Sequence, residues 1–422
     1  MTTTEKVDFD SLATADPKKA EAIYKGILQE SKPEGEHDNE ARLKQQESAL
    51  VKLAELYRDQ KNANGLAEVI TMSRAFMSST AKAKTAKLIR TLLDYFGSIP
   101  DSTEPQIKVL KDNIAWAKRE KRIFLKHSLE TRLIGIQLES SQFKPALSLI
   151  DTLLTELRRL DDKMILTEVH LLESRVYRGI GNLAKSKAAL TSARTAANSI
   201  YCPPQLQASL DLQSGILHAE DKDYKTAYSY FYETFENLSS QDDPGALGAL
   251  KYMLLCKVML NLPEDVNALL SIKLALKYAQ LREVESMRAV AKAHQNRNLA
   301  EFEKALRDYR DELSSDPTIR SHLAALYDTL LEQNLLRIVE PYSVVEVDYV
   351  AQQVGQGRQS VEAKLSQMIL DKVFHGVLDQ GRGCLIVYDD PESDNTYGAA
   401  IETLEQIGKV VDSLYAKTVK IA

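Results

Sequence analysis

The chain has 422 residues, 27% charged and 44% apolar, with 17 Gly, 12 Pro and a formal net charge of −6. That composition belongs to a soluble globular chain of about two or three domains, too apolar to be disordered and too poor in Gly and Pro to be collagen-like or low-complexity. The negative balance gives no overall pull towards nucleic acid or an anionic membrane surface. Three distant cysteines, Cys202, Cys256 and Cys384, exclude a disulfide scaffold or a Cys-dominated zinc site and suit a reducing compartment.

The first residues, Met1-Thr-Thr-Thr-Glu-Lys-Val-Asp8, lack the apolar core of a secretory signal, so none is expected. No uncharged apolar run nears the ~20 residues of a membrane span. Ala249–Leu262 comes nearest, and Lys251 and Lys257 interrupt it. From about residue 10 to residue 340 Ala, Leu, Lys, Glu, Arg and Gln dominate, which predicts helix almost throughout. Apolar residues recur every three and four positions, as in Leu50, Leu53, Ala54 and Tyr57, or Leu147, Ile150, Leu153, Leu154 and Leu157.

A turn-then-helix element repeats as Phe143-Lys-Pro-Ala146, Leu183-Ala-Lys-Ser186 and Tyr224-Lys-Thr-Ala227, with starts 40 and 41 residues apart. The same period reaches back to Asn64-Gly-Leu-Ala67 and forward to Glu264-Asp-Val-Asn267, just past the breaker Asn261-Leu-Pro263. Gly215, Ala227 and Phe231 occupy the positions where two helices approach closely and one ring fills the gap, with the spacing of tetratricopeptide repeats; Ser186 stands where Ala would be usual. A period near 40 without strands means stacked helix pairs, here a right-handed α-solenoid of TPR-like pairs over residues 1–317. Such an array offers outer faces to partners rather than a pocket.

The texture changes at residue 318. Ile319–Val339 reads as a helix with Leu323, Leu326, Leu330, Leu331, Leu335 and Ile338 on its apolar side, ended by Pro341. Tyr342–Val347 reads as a short strand, then helices Val347–Val354 and Val361–Asp371, the second capped by Ser360. Strands Phe374–Leu378 and Cys384–Tyr388 flank a hairpin turn at Gln380-Gly-Arg-Gly383. This is the element order of a winged helix over residues 318–395. A closing helix, Thr396 to about Lys420, carries Ile401, Leu404, Ile407, Val411 and Leu414 at spacings of 3, 3, 4 and 3. At ~1.5 Å per residue it would be roughly 37 Å long. A bare amphipathic helix of that length folds back on its own domain or joins helices of other chains.

No chemistry-bearing motif stands out: no His-Glu-x-x-His, no paired-cysteine zinc pattern and no Gly-rich phosphate loop. Gly355-x-Gly357 follows a helix rather than a strand and reads as a turn. The seven histidines are scattered; His218 reads as a packed or surface residue, and Cys202, before Pro203-Pro204, as a buried inert thiol. Asp161-Asp162 and Asp242-Asp243 read as helix-capping and turn residues. No catalytic residue, metal or cofactor is expected. Two basic runs, Lys82, Lys84, Lys87 and Arg90, and Lys118, Arg119, Lys121, Arg122 and Lys126, each read as one helix face, solvated or docking an acidic protein surface. Aromatic residues do not interleave with them as nucleic-acid stacking requires. The recognition-helix position of the winged helix, 361–372, carries Glu362, Lys364, Asp371 and Lys372, which sum to zero, and residues 341–395 hold nine acids and four bases, net −5. DNA reading needs the opposite sign. The module instead suits pairing of its sheet edge and wing with a like module.

A helical array running into a winged helix and a closing helix resembles the PCI-domain proteins. Lys187–Pro204, Tyr224-Lys-Thr-Ala-Tyr-Ser-Tyr-Phe-Tyr-Glu233, Leu250–Lys257, Leu331-Glu-Gln-Asn-Leu335 and Lys364-Leu-Ser-Gln-Met-Ile-Leu-Asp-Lys372 are similar, more narrowly, to the non-ATPase regulatory subunit 11 family of the 26S proteasome lid. These stretches span most of residues 115–422; the first hundred residues are similar in character only, most clearly Ala81-Lys-Ala-Lys84 with Leu88-Ile-Arg90. Arg382 departs from a position the family tends to keep acidic. The resemblance implies a non-enzymatic scaffold in ATP- and ubiquitin-dependent proteolysis, located in cytoplasm and nucleus. Its implied partners are other PCI and lid subunits, the ATPase ring and the core-particle α-ring, with no nucleic acid or membrane. Carried onto this chain, Tyr342, Val344, Val345, Val347, Leu385, Ile386 and Val387 form the PCI–PCI surface. Ile401, Leu404, Ile407, Val411 and Leu414 form the bundle face of residues 396–422. Lys82, Lys84, Lys87 and Arg90 are the candidate ATPase or core contact. The same architecture also serves COP9 signalosome and translation-initiation-factor subunits, and a winged-helix nucleic-acid binder is the alternative of another class.

Overall fold

The computed structural model describes residues 21–26, 36–77, 82–99, 102–262, 264–314, 316–389 and 395–419. The chain forms two compact units, Met1–Ala249 and Leu250–Ala422. The last helices of the repeat region thus cluster with the winged helix, whereas the sequence divides the two near residue 318. Among the described residues no helix is long and apolar enough to cross a membrane.

The first unit is built from antiparallel helix pairs: α1 Glu36–Asp59, α2 Ala63–Met77, α3 Lys82–Asp94, α4 Thr103–Arg119, α5 Ile123–Glu139, α6 Phe143–Leu160, α7 Lys163–Ile180, α8 Leu183–Ala197, α9 Pro204–Glu220 and α10 Tyr224–Ser240. α7 with α8 and α9 with α10 pack most closely. The expected stripes are core: Leu50, Leu53, Ala54 and Tyr57 are buried, as are Ile150, Leu153, Leu154 and Leu157. Gly215 on α9 lets Phe231 of α10 lie flat against it, since a Cβ there would sit 2.6 Å from the ring. Gly179 admits Phe143 at the same 2.6 Å. Ser186 fills its small-residue slot for a specific reason. It is fully buried and donates to the Ser174 carbonyl at 2.8 Å, while Gln213 Nε2 donates to Ser174 Oγ at 3.2 Å. Three polar side chains on three successive helices satisfy one another, as buried polar groups must.

One backbone device sets the period. Lys121, Ser141, Asp161 and Gly181 each take a left-handed conformation, φ +53°, +59°, +53° and +87°, at intervals of twenty residues, followed by Lys222 and Asp242. At most of these turns the next residue's N–H reaches a carbonyl five positions back, as from Asn182 to Tyr177 and Asp223 to His218, both at 2.9–3.0 Å. That is the Schellman helix stop. The following Asx side chain then caps the next helix: Asp162 accepts from Ile165 N–H, Asn182 from Lys185 and Asp223 from Thr226. Asp161-Asp162 therefore has the turn and capping role expected from sequence.

Two expectations need correction. The basic run 118–126 does not share one helix face: Lys118 and Arg119 end α4, Lys121 is the left-handed turn residue, and Lys126 lies on α5. Helix also fails over residues 271–281, where short turns close by bonds such as Ala275 N–H to Ile272 O at 2.9 Å and Tyr278 N–H to Ala275 O at 2.9 Å.

α11 Gly245–Met259 spans the division between the units. The second unit continues with α12 Glu264–Leu270, α13 Arg282–Gln295, α14 Leu299–Asp308, α15 Arg310–Ser314 and α16 Pro317–Val339. It then gives β1 Val344–Glu346, α17 Val347–Val354, α18 Arg358–Leu370, β2 His375–Asp379, β3 Cys384–Tyr388 and α19 Asn395–Val419. This is the predicted winged-helix order. α18 starts before Ser360, with Gly357 at its N-cap, because Arg358 is already tied to Glu362 one turn on at 2.7 Å and to Asp348 at 3.0 Å. Tyr327 of α16 anchors the module: it donates to Glu303 at 3.1 Å and accepts from Gln356 Nε2, in the α17–α18 turn, at 2.7 Å.

Candidate protein interface

The three strands form an antiparallel sheet of order β1-β3-β2. β3 is therefore the central strand, bonded on both sides, and cannot present an edge. Register separates the two faces, because side chains alternate along a strand. Val345, Leu385 and Leu378 align across the sheet on one face, where Val345 and Leu385 are buried. Val344, Ile386 and Val377 align on the other, with Val344 and Val377 more than half exposed.

This splits the sequence-assigned PCI–PCI set. Val345, Val347 and Leu385 are core of the winged helix and are corrected to structural residues. Tyr342 and Val344 are exposed, while Ile386 and Val387 are half-buried in the central strand. Tyr342 packs edge-on to the exposed Tyr349, ring centres 6.3 Å apart, and extends the apolar patch beyond β1. The exposed apolar surface of the module is the outer sheet face with this tyrosine pair. Sequence could not rank the strands, because their order depends on pairings some forty residues apart.

The winged helix offers little to nucleic acid. Arg358 and Lys364 are the two cations on α18, and both are engaged, Arg358 as above and Lys364 with Glu332 at 2.7 Å. Arg382, at the wing tip, is fully extended into solvent 3.9 Å from Asp379.

Every described side chain of α19 is exposed. Ile401, Leu404, Ile407, Val411 and Leu414 are between 53% and 67% accessible. The structure adds Tyr397, Val410 and Tyr415 to the same face, all exposed. Tyr397, Ile401, Leu404, Gly408, Val411 and Tyr415 follow each other at intervals of 4, 3, 4, 3 and 4, a heptad seam. Ile407, Val410 and Leu414 widen it to roughly half the helix circumference. A two-helix coil needs only a narrow seam, so this face fits several neighbours at once. Of the basic N-terminal set, Lys87 and Arg90 are exposed on α3; the side chains of Lys82 and Lys84 lie outside the described residues.

The remaining sequence candidates carry no site. His218 stacks on Tyr230, ring centres 5.5 Å apart, beside Asp223. Cys202 is half-buried rather than buried, and its thiol is pushed up by desolvation. Sequence missed one cluster, since its members come from two helices. His127 and Glu130 of α5 and Glu156 of α6 have ligand atoms within 4.8 Å of one another. The Lys126 ammonium sits among them, 2.6 Å from Glu156 and 3.6 Å from Glu130, so the cation this trio would attract is already supplied by the chain. Burial pushes the Glu130 carboxyl up to about 7, with Glu156 adding to the rise and Lys126 opposing it. The folded chain thus holds this proton more tightly than the unfolded chain, whose carboxyl titrates near 4.5. Stability should fall as pH rises from about 4.5 to about 7, by about 3 kcal/mol from this group. Glu130→Gln is expected to match the parent's urea midpoint near about pH 4.5 and exceed it at about pH 8. Parallel curves for the two proteins would refute the assignment.

Comparison with known proteins agrees with this layout. Residues 3–140 match the family model of the 26S proteasome regulatory subunit RPN6 N-terminal domain, 306–389 that of the PCI domain, and 393–418 that of the 26S proteasome subunit RPN6 C-terminal helix domain. The chain is 54% identical to the probable 26S proteasome regulatory subunit rpn6 of Schizosaccharomyces pombe, over 96% of this chain and 95% of that one. The chain belongs to the RPN6 family of 26S proteasome regulatory subunits. It is also 49% identical to the 26S proteasome regulatory subunit RPN6 of Saccharomyces cerevisiae, over 94% of each chain. With the 26S proteasome non-ATPase regulatory subunit 11 homolog of Arabidopsis thaliana it shares 49% identity over 89% of each. The N-terminal match covers the first hundred residues, which sequence reading found similar in character only. The PCI match begins inside α14, ahead of residue 318. The closing helix, exposed at every described side chain, also carries a family model of its own.

Proposed function

We propose that the chain is a non-catalytic scaffold of the 26S proteasome lid. The observation that carries this reading is α19, a 25-residue amphipathic helix whose wide apolar face is exposed at every described side chain. The outer face of the winged-helix sheet, with Val344 and the Tyr342–Tyr349 pair, meets a neighbouring PCI subunit. α19 joins helices of other lid subunits. The N-terminal helix pairs, including exposed Lys87 and Arg90, brace the ATPase ring and the core-particle α-ring. The peptide-bond and ATP chemistry belongs to other subunits.

The setting we propose is cytoplasmic and nuclear. Its support is that all three cysteines are free, with the Cys256 thiol pushed up to about 12 by burial and so unreactive. Affinity purification of the tagged chain from its own cells, without crosslinker and read by mass spectrometry, tests the assignment. Lid, ATPase and core subunits should be recovered together. Recovery of a different PCI assembly in their place would overturn it.

A further inference from the structure

At the α4–α5 turn the first unit has a concave site of about 390 Å³ whose floor is aliphatic and whose rim is cationic. Ala117 of α4, Ile123 of α5 and Leu160 of α6 line the apolar part, and Ile123 and Leu160 are each 48% exposed. Lys118, Lys121 and Arg159 stand on the rim, exposed, with no carboxylate paired to them among the described residues. Lys126 and Arg122 complete the rim. Lys126 is held by Glu156, the one acid among the lining residues, with Glu130 3.6 Å away, and Arg122 lies over the Trp116 ring, 5.0 Å from its centre.

Helix ends explain part of this. Lys118 and Arg159 sit in the last turns of α4 and α6, where a cation complements the helix dipole. That account does not reach Lys121, which lies in the turn itself, or the two aliphatic side chains left half in water between the cations. It also leaves the start of α5 bare. Its N-cap, Arg122, makes no side-chain cap and its first turn holds no acid. Three unpaired cations and two half-exposed aliphatic side chains line one site of a chain whose overall charge is −6.

The geometry points to a docking site for an acidic peptide segment of a partner protein, with one large aliphatic side chain set between carboxylates. The aliphatic side chain fills the floor between Ile123 and Leu160. Flanking carboxylates meet Lys118, Lys121 and Arg159. Nucleic acid fits less well, because the floor holds no exposed aromatic face on which a base could stack. All the residues that line the site lie within 117–160, and none belongs to α19 or to the winged helix.

The test is fluorescence polarisation of the full chain with a short fluorescein-labelled peptide in which one leucine is flanked by glutamates and aspartates. Binding should weaken steadily with added salt and fall roughly tenfold or more in Lys121→Glu with Arg159→Glu, both surface changes. A melting curve shared with the parent shows that the variant is folded. The Leu404→Glu, Val411→Glu chain should bind as the parent does, which separates this site from the assembly reading. Replacing the peptide's leucine by serine should also weaken binding. Equal affinity for the leucine and serine peptides, equal binding by variant and parent, or a preference for a DNA duplex or phosphatidylserine vesicles of equal charge would each overturn the proposal.

Discussion

Leu404→Glu together with Val411→Glu should leave the chain folded and abolish its incorporation into the assembled complex. Both side chains are more than half exposed on α19, so the free chain loses no packing and its melting curve should not move. In the assembly the same positions lie on the heptad seam. Each large apolar side chain contributes about 1.5–3 kcal/mol on burial, before ordering costs. Removing two weakens association by roughly two to four orders of magnitude. Placing carboxylates in the seam adds a desolvation cost on top. Lys409→Glu is the control: it changes charge by two on the far side of the helix and should incorporate normally. Native-gel migration of extracts carrying each tagged variant reads the result. Normal incorporation of the double variant would remove the bundle role of α19.

The second large effect lies in the core of the array. Phe231→Ala should cost about 3–5 kcal/mol, the range for emptying a buried aromatic site. The side chain is fully buried, and the surroundings cannot collapse on the void because Gly215 has no side chain to move into it. Gly215→Ala approaches the same contact from the other side, pushing a methyl to within 2.6 Å of the ring. Combining Gly215→Ala with Phe231→Leu should recover part of the loss, since the smaller side chain vacates the space that the new methyl needs. The urea midpoints of the parent, Gly215→Ala, Phe231→Leu and the double variant form a cycle. Strict additivity would show that the two residues do not share one contact.

Much of this architecture was legible from local pattern. Spacings of three and four located the helix stripes, and the small-after-large repeat at 143, 183 and 224 gave the period. Strand chemistry confined to residues 342–388 gave the winged helix. These signals are local, and the helices and turns that carry them form between near neighbours in sequence. What escaped depends on distant partners or on backbone conformations that sequence does not mark. Lys121 in a left-handed turn looks like any other lysine, so the sequence pattern merges the basic run into one helix face. Which face of β3 turns inward depends on pairing with β1, some forty residues upstream, so sequence alone does not mark Leu385 as core. Glu130 and Glu156 meet only because α5 and α6 pack side by side. Tyr397 and Tyr415 were in plain view, yet a stripe counted on aliphatics alone stops short of the full seam.

The open face of α19 also bears on how the chain is handled before it finds its neighbours. A newly made copy displays Ile401, Leu404, Ile407, Val411 and Leu414 to solvent, as a chaperone or a degradation receptor would see an unfolded protein. On the proposed bundle role, the helix would act as a timer as well as a fastener. Copies made in excess of their partners carry a mark that only assembly erases, and surplus chains should be short-lived while incorporated ones persist. Cellular abundance of this chain would then be set by the scarcest of its neighbours rather than by its own rate of synthesis.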